Sequence, residues 1–147
     1  MNIRMILSII AGYGALAGCD TKGVPATFAN VCDAANHKKT VEIAGYFNNS
    51  GSAMCSRSKT DPTMRCPIAF VETPGTSGPM RAYIARGNDS SETENVDKKG
   101  LKIRDAKGEF VENTQKVKLT AEVMVIETPS AGGSKCVLRF VSKIEKL

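Results

Sequence analysis

From Val41 onward, apolar and polar residues alternate with a period of two, the signature of strands that bury one face. Val41, Ile43, Gly45 and Phe47 form one side of the first such segment, with Glu42, Ala44 and Tyr46 on the other. Gly45, inside the run, predicts a bulge or sharp bend. A polar loop reaches Met64. Cys66–Glu72 (CPIAFVE) then predicts a second strand, with Pro67 near its start, where a missing N–H is tolerated. The turn-forming stretch over 73–79 (TPGTSGP) leads to a third, in which Met80, Ala82 and Ile84 alternate with Arg81, Tyr83 and Ala85. Residues 87–99 (GNDSSETENVDKK) are polar and charged and predict a flexible excursion. Leu101–Arg104 and Glu109–Val111 flank Asp105-Ala106-Lys107-Gly108, a hairpin signature. The clearest strand follows, with Val117, Leu119, Ala121, Val123 and Val125 on one side. A flexible turn over 130–134 (SAGGS) precedes a last strand over Cys136–Ile144.

The first part of the chain has a different pattern. Met5–Ala17 (MILSIIAGYGALA) is apolar and uncharged for 13 residues after a single positive charge at Arg4. A membrane-spanning helix needs about 20 such residues, so the length suits the hydrophobic region of a signal peptide. Ala15-Leu16-Ala17 fits the A-x-A cleavage pattern that would release a soluble protein. Leu16-Ala17-Gly18-Cys19 resembles the bacterial lipobox at all four positions. That resemblance implies cleavage between Gly18 and Cys19 and a diacylglycerol on the Cys19 sulfur, usually with acylation of the new α-amine. The expectation is a lipoprotein in the cell envelope, facing the periplasm or the exterior, with the membrane contacted through the lipid on Cys19. Asp20, next to the lipid, favours retention in the inner membrane. The expected organisation is a signal peptide over 1–18, a lipidated tether and short N-terminal helix or turn over 19–37, and a β-domain over 38–147. In the second segment, residues 20–26 (DTKGVPA) read as tether. Residues 27–35 (TFANVCDAA) read as a brief helix or turn capped by Thr27, with Phe28, Val31 and Cys32 on one face.

Composition narrows the chemistry. At 147 residues the chain is one domain's worth, and 41% hydrophobic with 24% charged residues describes a globular protein. Trp is absent and aromatics are 5%, so the core must rest on Val, Ile, Leu, Ala and Met. A net charge of +5, falling to +4 without residues 1–18, is too mild to be a nucleic-acid signature by itself. Apart from Cys19, four cysteines remain, an even number that in an oxidising compartment predicts two disulfides out of three possible connectivities. Cys55 and Cys66 would close a small polar loop around the Asp61-Pro62 turn, leaving Cys32 to reach Cys136. His37 is the single histidine and there is no C-x₂-C, so the sequence offers no metal set, and no cofactor is expected. His37 itself lies in a polar stretch and reads as a surface residue. Hydrolase, metalloprotease, phosphate-loop and dinucleotide fingerprints are missing, and Asp61, Asp89, Glu92, Glu94 and Asp97 read as solvated loop charges. The expectation is a protein that is not an enzyme.

The strands add up to an all-β domain of five or six strands, which closes its edges as a small barrel or sandwich. Val41-Glu42-Ile43-Ala44-Gly45-Tyr46, the Gly108 turn leading to Lys116-Val117-Lys118-Leu119-Thr120, and Val141-Ser142-Lys143-Ile144-Glu145 are similar to bacterial lipoproteins with an OB-like domain of uncertain function. Ala121 stands where such sequences often carry Gly. The resemblance covers residues 38–147 and implies a five- to six-stranded Greek-key barrel with a short N-terminal helix or turn. By fold analogy, binding would use the second and third strands, which offer Phe70, Arg81, Tyr83 and Arg86. Phe70 reads as core, leaving Tyr83 between Arg81 and Arg86 as the binding face. The expected function is a non-catalytic binding or interaction module for an envelope protein or polymer. The alternative is a single-stranded nucleic-acid binder at the cell surface.

Overall fold

A computed structural model describes residues 22–49, 54–95 and 101–147. The lipobox, Gly18 and Cys19 included, lies outside the described residues. Among the described residues nine strands form two sheets: β1 (Val24–Ala26), β2 (Thr40–Asn48), β3 (Arg65–Val71), β4 (Arg81–Ala85), β5 (Thr93–Asn95), β6 (Leu101–Arg104), β7 (Phe110–Val111), β8 (Val117–Val125) and β9 (Cys136–Lys146). Strands β2-β3-β4-β9-β8 are hydrogen-bonded in that order, and β8 pairs back onto β2, which closes a five-stranded barrel. The closing contact of β4 with β9 is parallel, with Ala82 opposite Leu138, and every other barrel pairing is antiparallel. This is an OB-like Greek-key barrel, the fold class that the alternation predicts.

Gly45 marks the place where β2 changes partners. Residues Thr40 to Gly45 pair with β8, and Tyr46 to Asn48 pair with β3. A side chain here has no room, because a Cβ on Gly45 would lie 2.7 Å from Phe70 Cζ and 2.7 Å from the Val71 carbonyl oxygen. The expected bend is therefore a barrel corner. Inward residues Val41, Ile43, Phe47, Ile68, Phe70, Ile84, Leu119, Leu138 and Ile144 are all essentially inaccessible and form one core. Three phenylalanines supplement the aliphatic side chains, with the rings of Phe28 and Phe47 each 5.5 Å from that of Phe70.

Three expectations differ from the structure. Val24–Ala26, read as tether, is a strand paired in parallel with Val41–Ile43. Three residues are too few to show a period, and a proline argues against a strand unless it lies on an edge, as Pro25 does. The following segment turns over 28–33 and then forms a single 3₁₀ segment, Ala34–Asn36. The Thr27 side chain caps nothing: Asn30 Oδ1 accepts from Thr27 N–H within the turn, and the residue before the 3₁₀ segment is Asp33, whose side chain makes no cap bond. Val31 in this turn is completely buried in the barrel core, so the domain extends well before residue 38.

The polar excursion over 87–99 is likewise partly structural. Within it β5 forms and pairs with β6, which pairs in turn with β7 across the expected hairpin, making a small sheet that contributes Leu101, Ile103 and Val111 to the same core. Thr93 is fully buried, donating its hydroxyl to the Ala85 carbonyl (3.3 Å). Ser91 Oγ accepts from Ile144 N–H (3.0 Å). Polar residues joined to backbone in this way satisfy strand groups that would otherwise be buried unpaired. The hairpin turn after β6 is held by Asp105, whose Oδ1 accepts from the amides of Lys107 and Glu109 at 2.9 Å each.

Cys32 is bonded to Cys136 and Cys55 to Cys66. The first disulfide ties the N-terminal turn to the start of β9 across 104 residues, and the second ties the β2–β3 loop to the start of β3 across 11.

Candidate functional site

The outward faces of the barrel differ in charge. On β2, β8 and β9, Lys118 Nζ sits 3.0 Å from Glu145 and 3.7 Å from Glu42, while Lys143 reaches Glu145 at 3.1 Å. These pairs raise the Lys118 pKa and lower that of Glu145, each chiefly through their mutual hydrogen bond. Opposite charges there are mutually satisfied. Around β3, β4 and the first half of β9 positive charge is in excess, since Arg65 pairs with Asp61 but Arg139 has no ion-pair partner among the described residues.

That second face carries a cavity of about 390 Å³ between the β2–β3 loop and β9. Arg65 from β3, Tyr83 from β4, and Val137, Arg139 and Phe140 from β9 form its floor. The loop adds Arg57, Asp61 and the hydroxyls of Ser56, Ser58, Thr60 and Thr63. The Cys55–Cys66 disulfide and the adjoining two-way backbone pairing of Ser56 with Arg65 (2.9 Å each way) fold this loop over the strand face.

Phe140 reaches the surface through a backbone irregularity. Strict alternation along β9 would turn it inward, as Leu138 is. Instead Phe140 adopts φ +47°, where a bulky residue is rare, and the β8–β9 register shifts opposite this point. Arg139 and Phe140 are consecutively half-buried on the outside, and Val141 returns to the core. The guanidiniums of Arg65 and Arg139 lie 4.8 and 4.5 Å from the Phe140 ring centre. Cation–π attraction of about 0.5–2 kcal/mol each positions both cations without using their N–H donors.

Asp61 is the acid of the cavity. Its Oδ2 accepts from Arg65 Nε and its Oδ1 from Thr63 N–H, both at 2.9 Å. The Arg65 hydrogen bond, followed by that of the Thr63 amide, lowers its pKa from 3.8 to about 2. The depressed value means that ionised Asp61 favours the folded loop above pH 4, and that this contribution fades only as pH falls towards 2. In an NMR titration the Asp61 carboxyl is therefore expected to titrate near pH 2, and Arg65→Gln should return it towards the ordinary value. An unshifted Asp61 in the parent protein would contradict the pairing.

The sequence-derived binding face is brought together only in part. Tyr83 lines the cavity. Arg81, two residues earlier, turns back to donate to the carbonyls of Gly78 and Met80. Arg86 is exposed and directs Nη1 to Met64 Sδ at 3.3 Å. Neither lines the cavity with Tyr83. The cations that do, Arg65 and Arg139, come from the two strands flanking β4. A Greek-key barrel places its last strand beside its third, so neighbours of Tyr83 had to be sought on β9 and not along β4 itself.

The remaining polar candidates are accounted for locally. His37 is exposed, and its Nδ1 accepts from Val125 N–H at 3.2 Å. Glu94 pairs with Arg104 at 2.6 Å, and Glu92 accepts from the Asp89 amide. Asp97 lies outside the described residues. Among the described residues no group of His, Cys, Asp and Glu is arranged to hold a metal ion, and no helix is long and apolar enough to cross a membrane. A larger open groove of about 740 Å³ runs between the N-terminal turn and the β3–β4 connection. Asp33, Glu72 and Lys135 on its walls carry both signs of charge, so it selects for no charge type. Compared with protein-family models, curated proteins and solved structures, the chain shows no significant match to any.

Proposed function

We propose that this chain is a bacterial lipoprotein held in the cell envelope through Cys19, with an OB-like barrel that binds and does not catalyse. The observation that carries the binding reading is the convergence of Arg65 and Arg139 on Phe140 inside a concave, hydroxyl-lined cavity. Guanidiniums remain charged at every physiological pH, which suits them to holding an anion and not to shuttling protons. Asp61, ionised down to about pH 2, is a poor general acid or base near neutrality. Both features support binding over acid–base chemistry. The partner on this reading is an envelope polymer or protein reached from the membrane surface.

The address rests on Leu16-Ala17-Gly18-Cys19 and the apolar run before it. Two or more acyl chains hold a protein at a membrane nearly permanently, at about 0.8 kcal/mol per buried CH₂. Cells fed a labelled fatty acid are expected to incorporate it into the parent protein and not into the Cys19→Ser variant, which should leave the membrane fraction or remain unprocessed. A Cys19→Ser protein that is processed and anchored like its parent would end the lipoprotein reading.

Single-stranded nucleic acid is the second reading, favoured by the placement of Tyr83 among arginines on an OB-like sheet face. Such binders use a succession of stacking rings, and the Phe140 ring already carries guanidiniums. Oligonucleotide affinity that falls steeply with added salt would favour this reading over the first.

A further inference from the structure

We propose that the cavity between the β2–β3 loop and β9 binds an anionic sugar unit, with Arg139 and Arg65 gripping its carboxylate or phosphate. This inference rests on the binding reading above and names the ligand class. Among the described residues the Arg139 guanidinium has no hydrogen-bond or ion-pair partner, and Arg65 spends only Nε, on Asp61. The in-plane donors of one guanidinium and both terminal nitrogens of the other are thus unspent, and this is the fork geometry that matches carboxylate and phosphate oxygens. Both cations are already positioned by Phe140, so little side-chain freedom is lost when an anion arrives. With Arg57 at the rim and Asp61 as the acid, three positive charges face one negative charge. A bound anion would relieve that imbalance.

The rest of the lining selects a sugar over a bare ion or a base. Hydroxyls of Ser56, Ser58, Thr60 and Thr63 supply groups that both donate and accept, as sugar hydroxyls do, and Ser58 and Thr60 already share a hydrogen bond at 3.1 Å. Tyr83 offers an aromatic surface for the apolar face of a pyranose ring. A volume of about 390 Å³ lies at the small end of ligand sites, enough for one or two rings and too little for a folded partner. A free sugar acid or sugar phosphate and the acidic residue of a surface polymer present the same chemistry to these groups.

Calorimetry on the detergent-solubilised full chain, with glucuronate, glucose 6-phosphate, polygalacturonate, glucose, inorganic phosphate and a 12-mer of deoxythymidine, tests this. At least one anionic sugar is expected to bind with a Kd below about 1 mM. Glucose and inorganic phosphate should each bind at least tenfold more weakly. Arg139→Gln should lower the affinity for the anionic sugar at least tenfold in a protein that is still folded at the assay temperature, while Arg81→Gln should leave that affinity unchanged. Tighter binding of the polymer or of the monosaccharide identifies the source, and either supports the proposal. Equal binding of glucose, equal binding of inorganic phosphate, or an Arg139→Gln protein that binds like its parent would each overturn it. If the oligonucleotide binds through Arg139 and no sugar does, the sugar proposal fails while the binding reading stands. If no probe binds, the sugar proposal fails, and the partner of the binding reading must be a protein or a polymer of another kind.

Discussion

Replacing both Cys32 and Cys136 with alanine is expected to cost about 4–5 kcal/mol, the largest loss from any one cross-link in this chain. Under the chain-entropy account, a bond closing a loop of roughly 100 residues removes far more freedom from the unfolded chain than a short one. The Cys32–Cys136 separation is 104, against 11 for Cys55–Cys66, whose removal should cost about 3 kcal/mol. Small domains hold only about 5–15 kcal/mol in total, so the first variant should lie near the edge of folding and the second should not. Native contacts reinforce the ranking, since Cys136 is fully buried and Cys32 packs with Val31 against the core. Urea unfolding of the two double variants, side by side with the parent, gives the comparison. A Cys55→Ala/Cys66→Ala protein that loses as much stability as the other would show that loop length does not set the order.

Gly45→Ala is expected to cost about 3 kcal/mol, the upper part of the range for an overfilled core. One methyl group would sit 2.7 Å from the Phe70 ring edge and 2.7 Å from the Val71 carbonyl oxygen. The ring cannot swing aside freely, because Phe28 and Phe47 pack against it. The carbonyl belongs to the β2–β3 pairing, where Val71 lies opposite Tyr46. Gly78→Ala is the matched comparison, since its Cβ would meet only Val71 Cγ1, at 3.2 Å, and should cost much less. Equal urea midpoints for Gly45→Ala and the parent would mean that the barrel corner has room for a methyl group.

Strand existence was legible because burial on one face forces a period of two, and β2, β3, β4, β8 and β9 all show it. Elements stabilised from a distance were not legible. Val24–Ala26 is a strand only because β2 offers it a free edge, and Ser91 and Thr93 are buried only because β9 and β4 supply backbone partners. The site followed the same rule. Tyr83 could be found from the outward positions of β4, whereas Arg139 required knowing that β9 lies beside β4. Phe140 was hidden further, since alternation assigns it inward and only its positive φ turns it out.

β1 also sets a length. If Cys19 carries lipid, five residue steps separate the acylated residue from Val24, the first residue of a strand fastened to the barrel wall. At about 3.3–3.6 Å per step, the fully extended leash measures roughly 17 Å, less than the width of the domain it would hold. A barrel so tethered could not range across the compartment. It would skim the headgroups with restricted rotation, and only molecules that come to that membrane, or are rooted in it, would meet its cavity.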